Sequence, residues 1–267
     1  MQLNTEPKRD PCAMSSFNPL DNLRARNTSR YMDASSGSLR YRSRPDETPG
    51  RADQQAHAAL RAHVLDDGYP CVMARSVFNR DAFRMATYGR LGDPASAAML
   101  CHDLYAFSLE FPRPVQGAVS FVACFEGPEC ADEEAFEVAL WRQLQAVHDL
   151  DKRQFEWSRE VQSAPDDPDF SFSVGGRAFF LIGMHPRASR IARRTPMPTI
   201  VFNLHEQFVE LRANGKFDGV RDKVQTRDEQ LQGTVNPMSS DFGARSEAAQ
   251  YSGRAVGSEW ACPFSPA

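Results

Sequence analysis

The sequence predicts a single α+β domain: a central, mostly antiparallel or mixed sheet, helices packed against it, and a C-terminal segment wrapped over the core. Three observations predict it. Short apolar runs at 118–125, 178–184 and 199–202 have the length of buried strands and are too brief for helices. Two longer segments, 94–111 and 132–150, place apolar residues three and four apart, the stripe of a helix with one buried face. Gly175-Gly176 separates two strand-like runs, 170–174 and 178–184, which is a hairpin signature.

Taken in order, residues 1–50 are rich in Arg, Ser, Asn, Asp and Pro, and are expected to form a flexible arm ahead of a domain at 51–267. Segment 52–65 carries Ala56, Leu60 and Val64 on one helical face and stops at Asp66-Asp67-Gly68. Segment 69–74, YPCVMA, reads as a short strand in which Cys71 is a packed thiol. Segment 78–88 alternates aromatic and polar residues and reads as a strand or extended loop, broken by Gly89 and Gly92. Asp93-Pro94 is a helix start, with Asp as N-cap and Pro at the first helical position. The helix it opens buries Ala97, Leu100, Leu104, Phe107 and Phe111, with His102 off that face, and ends before Pro112. The acidic start Asp132-Glu133-Glu134 suits the positive end of the next helix, whose buried face is Phe136, Leu140, Leu144 and Val147. Beyond the 199–202 strand come two helical segments, to about residue 213 and over 216–231; Phe217, Val220, Val224 and Leu231 form the buried stripe of the second. The tail after Gly233 is loop-like in composition, yet Phe242, Tyr251, Trp260 and Phe264 recur along it. Such a tail is expected to wrap the core and cover a site.

The chain has 267 residues, enough for a sizeable core. Its net charge of −4 argues against a general nucleic-acid binder. No run is long enough to span a bilayer, and the N-terminus lacks the apolar stretch of a secretory signal, so a cytoplasmic protein is expected. The six cysteines include no CxxC pair and are expected to be reduced.

Chemistry-bearing residues concentrate at 178–211. His185-Pro186 ends an apolar run, which places the histidine at a strand end. Arg187, Arg190, Arg193 and Arg194 follow, and the next strand leads into His205. This frame suits an anion or cofactor site; a hydrogen-bonded structural histidine and a solvated basic loop suit the same residues.

Several segments together resemble the YqcI/YcgG family: Tyr69-Pro70-Cys71; the helix with Phe136, Leu140, Trp141 and Leu144; FFLIGMHPRASRIARR; PTIVFNLHEQFVELR; RDEQLQGTVNPM; DFGARSEAAQYSGR; and the terminal WACPF. The resemblance covers roughly residues 69–264. It implies a haem-dependent N-hydroxylase, a monooxygenase of natural-product biosynthesis acting on a guanidine or amine nitrogen of an arginine-like amino acid. The implied requirements are non-covalent haem b, molecular oxygen, and a separate reductase or other external electron donor, with no nucleic acid and no membrane; a homodimer is an open expectation. Under that implication His185 is the first choice of iron ligand, His205 the second and Cys262 the third. Arg187, Arg190, Arg193 and Arg194 would meet the propionates, and Phe180 and Phe202 would line the macrocycle slot. For an amino-acid substrate, Arg254 would hold the carboxylate, and Asp241 or Glu247 the cation. Other readings stay open: a non-catalytic haem carrier or sensor, a non-haem enzyme pairing Cys71 with a histidine, a structural or partner-binding domain, or a metal site of His185 and His205 with carboxylates.

Overall fold

The computed structural model describes residues 18–35, 37–239 and 244–266. Seven strands form one open, mixed sheet: β1 (Met32–Ser35), β2 (Ser38–Tyr41), β3 (Phe83–Arg90), β4 (Ser120–Gly127), β5 (Phe172–Val174), β6 (Arg177–Met184) and β7 (Thr199–Leu204). Their order is β2-β1-β3-β4-β7-β6-β5. Only β3 and β4 run parallel, and the helix α4 (Pro94–Glu110) makes the crossover that parallel neighbours require. The remaining pairs are antiparallel, with Phe121 opposite Phe202 and Phe179 opposite Leu204.

The period of two along the strands divides their side chains between two cores. Phe121, Phe125, Phe179 and Phe202 face the first, under α4 and α5 (Glu133–Asp151), together with Leu104, Phe107, Phe136, Leu140 and Leu144. Val122, Cys124 and Met184 face the second, under α2 (Arg51–Leu65) and α3 (Val72–Asn79). The Asp93 cap is present, its side chain accepting the Ala95 amide at 2.8 Å, and Asp132 caps α5 through the Ala135 amide at 2.8 Å. Gly175 and Gly176 both have positive φ, 64° and 69°, so the β5–β6 hairpin uses the backbone region that favours glycine.

The sequence expectations need correction at two places. Order begins before residue 51: a six-residue helix α1 (Leu23–Thr28) precedes β1 and β2, and β1 extends the main sheet beside β3. Met32 and Ala34 on β1, and Leu39 and Tyr41 on β2, alternate inward, so a segment of polar composition still buries one face. Asp103, fully buried on α4, accepts hydrogen bonds from Ser29 and Tyr88, each at 2.9 Å, and tethers the region ahead of β1. His102, expected off the buried face, is itself buried with Nδ1 2.9 Å from Asp103. The second correction concerns 69–74. Val72–Ala74 open the helix α3 rather than continue a strand, and Val77 and Phe78 carry its buried face.

The C-terminal segment wraps the first core as expected. Phe264 is buried among Trp141, Trp157, Phe170 and Phe172, and the Ser265 amide donates to Gln145 Oε1 at 2.9 Å. Tyr251, on the short α8 (Ala248–Tyr251), is fully buried against Trp141. Phe242 and Asp241 lie outside the described residues.

Candidate functional site

A cavity of about 300 Å³ opens on the second face of the sheet. Its floor is β4, β6 and β7, through Val122, Phe180, Ile182 and Val201. One wall is α2 and α3 with the Tyr69-Pro70-Cys71 approach; the other is α6 (His205–Ala213) and α7 (Phe217–Gln232). The apolar stripe Phe217, Val220 and Val224 of α7, expected to be core, lines this cavity instead. That explains how α7 keeps a regular apolar face while its only buried residue is Asp228.

Among the described residues, five charged side chains reach the lining: Arg193, Arg212, Arg221, Asp228 and Glu247. Arg193 is positioned by the turn after β6, where its Nη1 donates to Gly183 O at 3.0 Å and lies 3.4 Å from Tyr251 O. Burial lowers its guanidinium below the usual range, and the Tyr69 side chain opposes that shift. Glu247 is 6% exposed. Its Oε2 accepts from Ser171 at 2.9 Å and from Tyr251 at 3.3 Å. Burial raises this carboxyl to about 7, against the lowering effect of the Ser171 and Tyr251 hydroxyls. Cys71 is half-buried at the cavity wall. It is the N-cap of α3, its sulfur accepting the Ala74 amide at 3.4 Å, and burial pushes its thiol up.

The residues singled out in the sequence disperse around this cavity. Of the four arginines, only Arg193 lines it. Arg190 is buried in an ion pair with Asp228 and donates to Thr234 O at 2.7 Å, which fastens the loop to α7. Arg194 donates to Ala188 O at 2.8 Å, and Arg187 is exposed. Phe180 lines the cavity, whereas Phe202 belongs to the opposite core between Phe121 and Phe179. Arg254 is bound to Glu137 on α5, with Nε 2.9 Å from Oε2, and takes no part in the lining.

None of the three expected iron ligands reaches the cavity lining. His185 is fully buried, its ring stacked on Phe136 at 4.4 Å, and neither ring nitrogen has a hydrogen-bond partner among the described residues. Burial lowers its pKa. His205 opens α6 and is held to about 4 by burial, with Arg212 acting in the same direction. Cys262 packs against the first core beside the C-terminal aromatics, and burial takes its thiol to about 12. His185 and His205 do not gather carboxylates: among the described residues, no three His, Cys, Asp or Glu side chains converge in a metal-binding group.

The sequence model of the YqcI/YcgG family matches residues 58–265. The chain belongs to the YqcI/YcgG family. The match runs from within α2 to the C-terminal wrap and so takes in every residue lining the cavity. No curated protein and no solved structure matches the chain. Among the described residues, no helix is long and apolar enough to cross a membrane.

Haem, the group the family resemblance implies, is tested by the cavity's donor set. Apolar walls from sheet and helices suit a flat macrocycle, and three arginines in the lining suit two propionates. The lining also offers the Cys71 sulfur. These residues fit the group, although the imidazoles expected from the sequence are elsewhere. Cys71, Glu247 and Arg212 are the site residues that sequence reasoning weighed low or missed. The available signals were the Cys at a helix N-cap, and a Glu four residues before the buried Tyr251.

Proposed function

We propose that this chain is a haem-dependent N-hydroxylase acting on a guanidine or amine nitrogen of a small amino-acid-like molecule, with the α2/α3/α6/α7 cavity as its site. The observation that carries the reading is that an acid, Glu247, and a base, Arg193, both line one apolar cavity. An amino-acid-like ligand brings a carboxylate and a cationic nitrogen, and a buried site accepts such charges only where partners are already in place.

In this reading Val77, Phe78, Phe180 and Phe217, which line the cavity, would hold the macrocycle, and Arg212 and Arg221 would serve its propionates. When bound, haem supplies the activation of molecular oxygen. The reaction puts one oxygen atom into an N–H bond and releases the other as water, consuming two electrons and two protons from a separate reductase or equivalent donor. Arg193 holds the substrate carboxylate. Glu247 Oε1 accepts a hydrogen bond from the cationic nitrogen and fixes which nitrogen faces the reacting oxygen. A carboxyl near 7 also exchanges protons with that nitrogen at neutral pH. The α6–α7 wall excludes water from the slot.

The test is an absorption spectrum of protein expressed with haem supply. Turnover of arginine and its analogues with reductant and isotopically labelled oxygen follows. A Soret band near one haem per chain, and a product carrying one labelled oxygen on nitrogen, are expected. Absence of haem, where a control haem protein loads fully, overturns the reading. So does stoichiometric haem without oxygen incorporation into any guanidine or amine tested, which leaves a haem carrier or sensor.

A further inference from the structure

We infer that the Tyr69 hydroxyl and the Arg193 guanidinium form a two-donor clamp for a carboxylate, at the end of the cavity where β6 reaches Met184. The inference rests on the reading above, in which both the amino-acid-like ligand and haem carry carboxylates. It adds Tyr69 as the residue that positions the anion.

Tyr69 is 8% exposed and lines the cavity. Pro70 keeps its backbone extended. The rest of the residue is fixed from several sides. Its N–H donates to Asp66 O at 3.0 Å, and its carbonyl accepts from Arg227 Nε at 3.2 Å and Nη2 at 3.1 Å. Its ring packs edge-on against His63 at 5.1 Å, and His63 Nε2 lies 3.1 Å from Ala192 O, next in the chain to Arg193. The hydroxyl is the exception: it has no hydrogen-bond partner among the described residues. A buried phenol ordinarily finds one.

Arg193 lacks a counter-ion in the same space. Its Nη1 is held only by carbonyls, Gly183 O at 3.0 Å and Tyr251 O at 3.4 Å, and no ion pair forms at it among the described residues. The charged and titratable groups that face it are Tyr69, Cys71, Asp228 and Arg190. The single acid among them is already engaged, since Asp228 Oδ2 accepts from Arg190 Nη2 and from the Asn236 N–H at 3.0 Å. Burial lowers the Arg193 guanidinium, as expected of a cation short of an anion. Tyr69 and Arg193 are close enough for each to feel the other's charge.

A neutral O–H donor beside one positive charge matches a carboxylate in both number and charge. Its two oxygens accept one donor each, and a single negative charge is neutralised. A phosphate dianion would leave one charge uncompensated in an apolar cavity.

The test uses the full chain, haem-free, as wild type and Tyr69→Phe. Phenylalanine keeps the ring against His63, and an unaltered melting temperature checks this. Two probe pairs differ only in the carboxylate: arginine against agmatine, and haem against its dimethyl ester. Wild type is expected to prefer the acid of at least one pair. Tyr69→Phe is expected to weaken binding of that acid about tenfold and to leave its carboxylate-free partner unchanged. An effect on arginine assigns the clamp to the substrate, and an effect on haem assigns it to a propionate. Equal losses for acid and partner, or wild-type affinities throughout, overturn the inference. Full haem loading and N-oxygenation with an unaffected Tyr69→Phe overturn the clamp alone. A wild type that takes up no haem, yet holds arginine through Tyr69, overturns the haem reading and supports the clamp.

Discussion

Arg254 and Glu137 are joined through one oxygen: Arg254 Nε and Nη2 lie 2.9 and 2.5 Å from Glu137 Oε2. Ser252 donates to the other oxygen, Oε1, at 3.0 Å. The pair clamps the segment after α8 onto α5, and Glu137, 6% exposed, depends on it for compensation.

Replacing Arg254 with alanine therefore strands a buried carboxylate. The expected result is a loss of about 1–3 kcal/mol of stability, read as a lower denaturant midpoint, with ligand affinity at the cavity unchanged. A variant that keeps wild-type stability and loses affinity for carboxylate ligands would return Arg254 to the substrate role expected from the sequence.

Gly183 sits where β6 passes closest to α5 and α8. A Cβ placed on it would lie 2.6 Å from Tyr251 O and 2.8 Å from both Leu140 and Phe136. The carbonyl is backbone and the two side chains are packed, so none can yield cheaply. Gly183→Ala is expected to cost about 1–3 kcal/mol and to disturb Arg193, which is anchored on Gly183 O. Urea unfolding measures the first effect. A neutral substitution would mean that α8 is held far more loosely than its buried Tyr251 implies.

Glu247 gives the site a pH dependence of known sign. Burial raises its carboxyl to about 7, so the carboxylate form that pairs with a cation grows as pH rises through that value. A guanidinium stays charged throughout. Binding of arginine to haem-free protein, followed by calorimetry, is expected to strengthen about tenfold between about pH 6 and about pH 8. Glu247→Gln should bind more weakly and lose the dependence. The same pH profile in Glu247→Gln would assign it to another group.

The strands at 118–125, 178–184 and 199–202 were legible because a short apolar run bounded by Gly, Pro or polar residues has few other stable fates. The helices at 52–65, 94–111 and 132–150 were legible because their stripes and caps agree. Two elements were misread where local composition and local pattern disagree. The polar average of residues 1–50 hid the alternation of Met32, Ala34, Leu39 and Tyr41, which suffices for a hairpin once β3 is there to pair with. Residues 69–74 look strand-like in isolation; the apolar pair Val77 and Phe78 further along decides for helix by packing against the sheet.

By itself the sequence determined the fold class, most of the element order, the wrapping tail, and the stretch around residues 178–211 where chemistry-bearing side chains gather. Only the tertiary structure decided which of those side chains share a space. His185 leaves its strand toward Phe136 rather than the cavity, Arg190 spends its charge on Asp228, and Cys71, Arg193, Arg212 and Glu247 meet from four separate segments. The physical reason is that periodicity fixes a residue's face within its own element, whereas a cavity forms where faces of several elements fail to close on one another, and that depends on how α3, α6 and α7 stand over the sheet.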